Sequence, residues 1–567
     1  MKKIQTHIRR ILSLVALLFL IGLPAPAQRR ERTVQGWKPL HYDVELNFDD
    51  QLSGFTSART RISVAVLSQT LNAIDLDFGD LPIDSVLVSD KPARFERTSE
   101  TLNVQLEPAA KRGDKLAVTV SYHGHPKDGL IFANDRDGNT SATGDNWPNR
   151  VHYWIPSLDH PSAKATVSFS ISLPRSVTNS RAQPYSVIAN GQAVRTNDDT
   201  LIRRWKFEEA KPIPPYCMVV TINQGAIINA PYEPIPLIYN VPQKDRDYAP
   251  KGFSPAGPSL SFFSQTIAPY PYEKLALIIG ATRFGGMENS SAIVFTNTLF
   301  DQRPGEFGAP ADNSPKISRR FGIPIRIESV VAHEIAHQWF GDSVTESTWA
   351  DLWLSEGFAT YFAGLLIQRQ DGEDAFRAYM RDAAQRYFNF EKQTALPIHD
   401  TETKDLMALL NPNNYDKGAW VLHMLRGRLG DEAFFKGLRD YYNAHKDSNA
   451  TTEDLRDALE KSSGKNLKEF FTRWVYGSGH PRYELSWGSM ERASVTSVTV
   501  HLSQLQPEDA FLDPVPVEFT VSGEKVRRTI TPTGKSTEVA IQLPANPSAV
   551  IIDPGETLLK EVVSIKP

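Results

Sequence analysis

The sequence predicts a multidomain α+β protein, and three observations carry that reading. Its 567 residues exceed what one hydrophobic core supports. Apolar and polar residues alternate with period two up to about residue 230 and again after residue 482. Between those stretches the spacing turns helical. Hydrophobic residues at 41% and charged residues at 23% mark a folded chain and exclude a largely disordered or fibrous one. A net charge of -4, with no long basic run after residue 32, leaves no phosphate-tracking surface, so no nucleic-acid partner is expected.

Taken in order, residues 1–27 read as a cleaved signal peptide. Lys2, Lys3, Arg9 and Arg10 precede an apolar run over 11–23, and Ala25-Pro26-Ala27 supplies the small-x-small cleavage pattern. The run is shorter than the ~20 residues that cross a bilayer. The expected mature protein is therefore exported, periplasmic or extracellular, with no transmembrane span. Residues 28–230 form the predicted N-terminal all-β domain, on alternations such as Tyr42, Val44, Leu46 and Phe48, then Val167, Phe169 and Ile171. The stretch 135–149 reads as loop. Cys217 stands alone in the chain, so no internal disulfide forms, and its apolar surroundings predict a buried thiol.

Residues 231–481 form the predicted α-rich domain. Short strands are expected at 275–279 and 292–295, and helices at 259–268, 327–339, 353–368, 375–388 and 418–429. Residues 482–567 return to alternation, as in Val498, Val500 and Leu502, and predict a small C-terminal β-sandwich.

The chemistry concentrates in His333-Glu334-Ile335-Ala336-His337. On a helix, residues i and i+4 lie one turn apart on one face, so both imidazoles reach a single ion, and Glu334 stands beside an open coordination position. Glu356, after eighteen intervening residues and at the start of another helix, supplies a third ligand. Two histidines and a glutamate with a vacant position make a catalytic zinc arrangement, whereas structural sites fill all four positions. Read alone, the pentapeptide also fits a helix-face charge pattern, and Glu356 fits a carboxylate favoured by a helix N-terminus.

Two further motifs flank this one: Gly285-Gly286-Met287-Glu288-Asn289 upstream and Tyr415-Asp416-Lys417-Gly418 downstream. The paired glycines allow a bound peptide close to the main chain, and Glu288 places a carboxylate suited to a substrate ammonium. A glycine turn with a solvated glutamate, and a packing tyrosine, are the alternatives each motif leaves open by itself. The three motifs in this order resemble the M1 family of zinc aminopeptidases, which are gluzincins. The resemblance implies a β-saddle N-terminal domain, a thermolysin-like catalytic domain and a small β-sandwich, without the long helical C-terminal domain of many relatives. It implies one Zn2+ on His333, His337 and Glu356, and Glu334 as the base that activates a zinc-bound water. It further implies Tyr415 as oxyanion donor and Gly285 to Asn289 as the binding segment for peptides with a free amino terminus. One departure stands out. Trp147 occupies the place where relatives carry a Gln or Glu that assists Glu288, with Asp145, Asn146 and Asn149 as polar neighbours. The rival readings are a peptidase with relaxed end-recognition or epoxide hydrolase side activity, and a non-catalytic, zinc-stabilised secreted binding protein.

Overall fold

A computed structural model describes residues 32–301 apart from 176–183 and 197–199, then 319–320, 323–324, and 327–567 apart from 493–494. The signal peptide expected over 1–27 lies outside the described residues.

An eight-stranded sheet is built around Trp37–Phe48, which runs antiparallel to Phe55–Val66 and parallel to Ala165–Pro174. Tyr42, Val44 and Leu46 sit opposite Val167, Phe169 and Ile171 on the parallel neighbour, and all six are buried. Asp43, Glu45 and Asn47 face the other way, half-buried, as a period of two demands. A four-stranded sheet closes the same core with Leu130, Ala142, Val187 and Ile222. One of its strands, Thr140–Gly144, corrects the expectation of loop over 135–149. Its Thr-Ser-Ala-Thr-Gly sequence carries no large apolar side chain, so burial came without alternation to announce it.

The middle region starts from a five-stranded mixed sheet whose order is Ala226–Ala230, Leu237–Val241, Leu275–Gly280, Ala292–Thr296 and Gly286–Met287. The strands expected at 275–279 and 292–295 are parallel neighbours. Both are wholly buried because both faces of this sheet are covered. Leu275, Leu277 and Ile279 point into the helical core. Ala276 and Ile278 meet Ile188 and Val219 of the N-terminal β region. Gly286–Met287 is the edge, antiparallel to Phe295 and Val294.

Helices Ile327–His337, Trp353–Asp371, Glu373–Glu391 and Gly418–Leu429 stack on that sheet. The first ends two residues sooner than expected, because the backbone of Gln338 and Trp339 tightens to i−3 bonds before the turn at Gly341. At the C-terminus, a four-stranded and a three-stranded sheet enclose Leu485, Val498 and Val500 against Val517, Phe519 and Val521. No helix among the described residues is long and apolar enough to cross a membrane.

Candidate metal centre

The helix Ile327–His337 turns Val331, Ala332, Ile335 and Ala336 into the core, which leaves His333, Glu334 and His337 on the side facing a cavity of about 530 Å³. Trp353–Asp371 returns across it, anchored by the tilted Phe340 and Phe358 rings with centroids 4.3 Å apart, and brings Glu356 forward in its first turn. The result is a triangle of donor atoms. His333 Nε2 lies 3.0 Å from His337 Nε2 and 3.1 Å from Glu356 Oε2, and the third edge, His337 Nε2 to Glu356 Oε2, is 3.5 Å. Tetrahedral ligands at about 2.0–2.1 Å from zinc stand about 3.3 Å from one another, so the donor set fits that ion.

The orientation of His337 points the same way. Its Nδ1–H donates to the Phe340 carbonyl at 3.1 Å, and the Ser355 hydroxyl oxygen stands 3.0 Å from the same nitrogen. The Nε2 lone pair is thereby turned to the triangle, the arrangement by which an outer hydrogen bond orients a metal-binding imidazole. Charge completes the case for a cation. Glu288, Glu334 and Glu356 are all buried around His337. Burial alone would lower the imidazole's pKa, but these carboxylates outweigh it and push His337 up to about 10, so the pocket demands positive charge at Nε2. Glu356 is held well below the usual carboxylate range, since bonds from His333 and His337 overcome the upward push of burial.

Glu334 belongs to a second, overlapping group with Glu288 and His337. Burial, opposed by His337 and reinforced by Glu288 and Glu356, pushes it well above the ordinary glutamate value. Its carboxylate lies against Gly286, where a Cβ would come within 2.4 Å of Glu334 Cδ. Only glycine lets the edge strand approach Glu334 so closely. Glu288, next but one on that strand segment, is buried and pushed up to about 6, first by desolvation. Met287 is buried beneath it, the Gly285 carbonyl accepts from Thr296 N at 3.1 Å, and Asn289 Nδ2 donates to the Met287 carbonyl at 3.3 Å. These bonds keep the segment extended along the cavity wall.

Tyr415 lies inside a wide π-helical turn, Asn413–Lys417, that runs directly into Gly418–Leu429. Gly418 lies against Gly357 of the Glu356 helix, so close that a Cβ on either would meet backbone at 3.0 Å. That contact brings the tyrosine to the donor triangle. Its ring stacks on His333 at 5.8 Å, and its hydroxyl donates to Glu356 Oε1 at 2.5 Å. Arg386 buttresses the turn, with Nε and Nη2 donating to Asp416 Oδ1 at 3.1 and 2.8 Å. Neither the arginine pair nor the Ser355 contact was legible in sequence, since no spacing joins residues thirty or eighteen positions apart on different elements.

All ten sequence-predicted site residues therefore gather at one cavity or in the strand segment along its wall. Trp147 lines the same cavity, edge-on to Phe284 and Trp349 at 6.0 and 5.6 Å. Two of its polar neighbours are engaged elsewhere and the third is exposed. Asp145 accepts from Arg150 Nη2 at 2.8 Å and from Thr282 at 2.9 Å, Asn146 bonds Met218 and Trp154, and Asn149 is exposed.

Two histidines and one glutamate on neighbouring helices, with a further carboxylate set beside the open side of the triangle, are the donor chemistry of a mononuclear metallopeptidase centre. Comparison with known proteins agrees. Residues 38–217 match the peptidase M1 N-terminal domain and residues 255–474 the peptidase family M1 domain, so the chain belongs to peptidase family M1. It is 29% identical over 451 residues to probable aminopeptidase 2 of Sulfurisphaera tokodaii, covering 78% of this chain and 54% of that protein. It is 26% identical over 539 residues to glutamyl aminopeptidase of Rattus norvegicus, covering 90% and 54%. The chain thus spans about half the length of the curated relatives it matches. An M1 zinc metallopeptidase from Deinococcus radiodurans shares its fold, with a TM-score of 0.63 at 23% identity over 81% of this chain and 96% of that one.

Proposed function

We propose that this chain is a zinc-dependent aminopeptidase that removes amino-terminal residues from peptides. The observation that carries it is Glu288, a buried carboxylate directly after the edge strand Gly286–Met287 and beside the donor triangle. His333, His337 and Glu356 would hold the ion. Zinc bound there supplies Lewis acidity, polarising a carbonyl and lowering the pKa of a water molecule to about 7.

The protein's own residues do the rest. The segment Gly285 to Asn289, at the sheet edge beside the cavity, would lie alongside an extended peptide. Glu288 receives the α-ammonium, and that ion pair counts one residue from the chain end. Glu334, buried beside the triangle, would accept the proton of the attacking water and return it to the leaving amine. Tyr415 turns its hydroxyl from Glu356 toward the oxygen on which charge develops. With Trp147 at the wall and Asp145 and Asn146 engaged elsewhere, Glu288 carries the recognition of the amine. We read residues 1–27 as the signal that exports the protein, which sequencing a mature amino terminus at Gln28 would test.

The decisive experiment compares a free peptide with its amino-acetylated form. The wild type is expected to favour the free amine strongly. Glu288→Ala should lower kcat/KM for the free peptide about 10²-fold or more and leave the acetylated one much less affected. Equal hydrolysis of both peptides by the wild type would defeat the aminopeptidase reading and leave the zinc peptidase reading standing.

A further inference from the structure

Gln338 follows the second histidine directly and is fully buried. Its amide makes four hydrogen bonds. Nε2 donates to the Glu288 carbonyl at 2.7 Å and to Asp342 Oδ2 at 2.8 Å. Oε1 accepts from Ser291 N at 2.9 Å and shares the Tyr270 hydroxyl, at 3.0 Å, with the Lys274 carbonyl. A primary amide has two N–H groups and two lone pairs, so its capacity is filled. The reverse orientation would set oxygen against the Glu288 carbonyl and N–H against the Ser291 N–H, so these partners fix which end is which.

Two of the partners, the Glu288 carbonyl and the Ser291 amide, bracket the end of the strand segment that carries the Glu288 carboxylate. Ser291 is also where the chain reverses, at a φ of 62°, and Lys274 donates to its carbonyl at 3.0 Å. A single side chain, one residue beyond a ligand of the donor triangle, thus ties the histidine helix to both ends of this bend. We propose that Gln338 is a positioning residue that sets the register of the Glu288 carboxylate against the donor triangle, and so fixes which peptide bond meets the attacking water. The inference rests on the reading of Glu288 as the amine anchor. A misplacement of ~1 Å between reacting groups costs on the order of 10²-fold in rate, so a hydrogen-bonded tie at this point has consequences that packing alone would not.

Gln338→Met keeps the side chain's length and removes its polar atoms. With alanine p-nitroanilide and its N-acetyl form as substrates, the variant should lose about 10²-fold in kcat/KM for the free amine. It should lose less than about threefold for the acetylated form, with zinc stoichiometry unchanged. Glu288→Ala combined with Gln338→Met should behave like Glu288→Ala alone, because a positioning residue has nothing left to position. Equal losses on both substrates, or additive losses in the double variant, would overturn the proposal and leave Gln338 a purely structural group. A wild type indifferent to acetylation removes the anchor reading, and this inference with it, before any substitution is made. If Gln338→Met does not fold, Gln338→Glu keeps the acceptor toward Ser291 and Tyr270 and is judged by the same ratio. Calorimetric binding of free and acetylated alanyl dipeptides in a Glu334→Gln background gives a readout independent of turnover: the preference for the free amine should shrink when Gln338→Met is added, and an unchanged preference overturns the proposal.

Discussion

His337 and Glu334 sit three residues apart on one helix face, yet the site asks opposite things of them. His337 contributes a lone pair to a triangle with edges of 3.0–3.5 Å. His337→Ala leaves two ligands, which hold an ion poorly, so metal content and activity should be lost together. Glu334 is no corner of that triangle. Glu334→Gln should keep one zinc per chain by atomic absorption while kcat falls by several orders of magnitude, because an amide cannot take the water's proton. Tyr415→Phe tests the remaining group. Its hydroxyl is expected to act in the transition state, so kcat should fall about 10²-fold at nearly constant KM. A change confined to KM would make it a substrate-positioning group.

At the scale of elements, the π-helical turn Asn413–Lys417 is what aims Tyr415, and the buried Arg386–Asp416 pair is what holds the turn. Breaking a buried pair on one side leaves an uncompensated charge, which costs roughly 3–5 kcal/mol. Arg386→Leu should therefore lower stability by about that much, and Arg386→Leu with Asp416→Leu should cost less than the sum of the single changes. Denaturant unfolding of the three variants measures it. The same turn shows where sequence reading succeeded and stopped. The helix Gly418–Leu429 was legible from its apolar spacing, and the three motifs were legible as residue types at set intervals. The wide turn was not, because its conformation comes from Gly357 meeting Gly418 and from a salt bridge to another helix. The strand Thr140–Gly144 escaped for a related reason: small polar residues are buried there by what packs on them, not by their own hydrophobicity.

For the whole molecule, His423 shows how the C-terminal sandwich is joined to the catalytic helices. Its Nε2–H donates to the Glu556 carbonyl at 3.2 Å, and its ring packs against Trp420, Phe376 and Tyr361. Burial pushes its pKa down to about 4. A neutral histidine in the folded state and a charged one in the unfolded state mean that stability is full above the ordinary value near 6.5 and is lost as pH falls toward 4. The shift amounts to about 3 kcal/mol. His423→Gln does not titrate, so the stability advantage of the wild type over it should shrink by about that amount between pH 7.5 and pH 4. An advantage that stays constant across this range would show that the histidine is not held neutral.

The two-faced sheet also governs how far this protein can be divided. Ala276, Ile278, Ala292 and Val294 are in contact with Ile188 and Val219, so the β region before residue 225 is a wall of the catalytic unit and no detachable appendage. A fragment beginning at residue 231 would retain every metal ligand and the whole strand-edge motif, yet would turn a continuous apolar sheet face into water. It should self-associate on sizing chromatography and bind hydrophobic dyes. Co-expressing residues 28–230 as a separate chain should restore a soluble, zinc-loaded particle, which would make the boundary between the two regions a seam of evolution and not of folding.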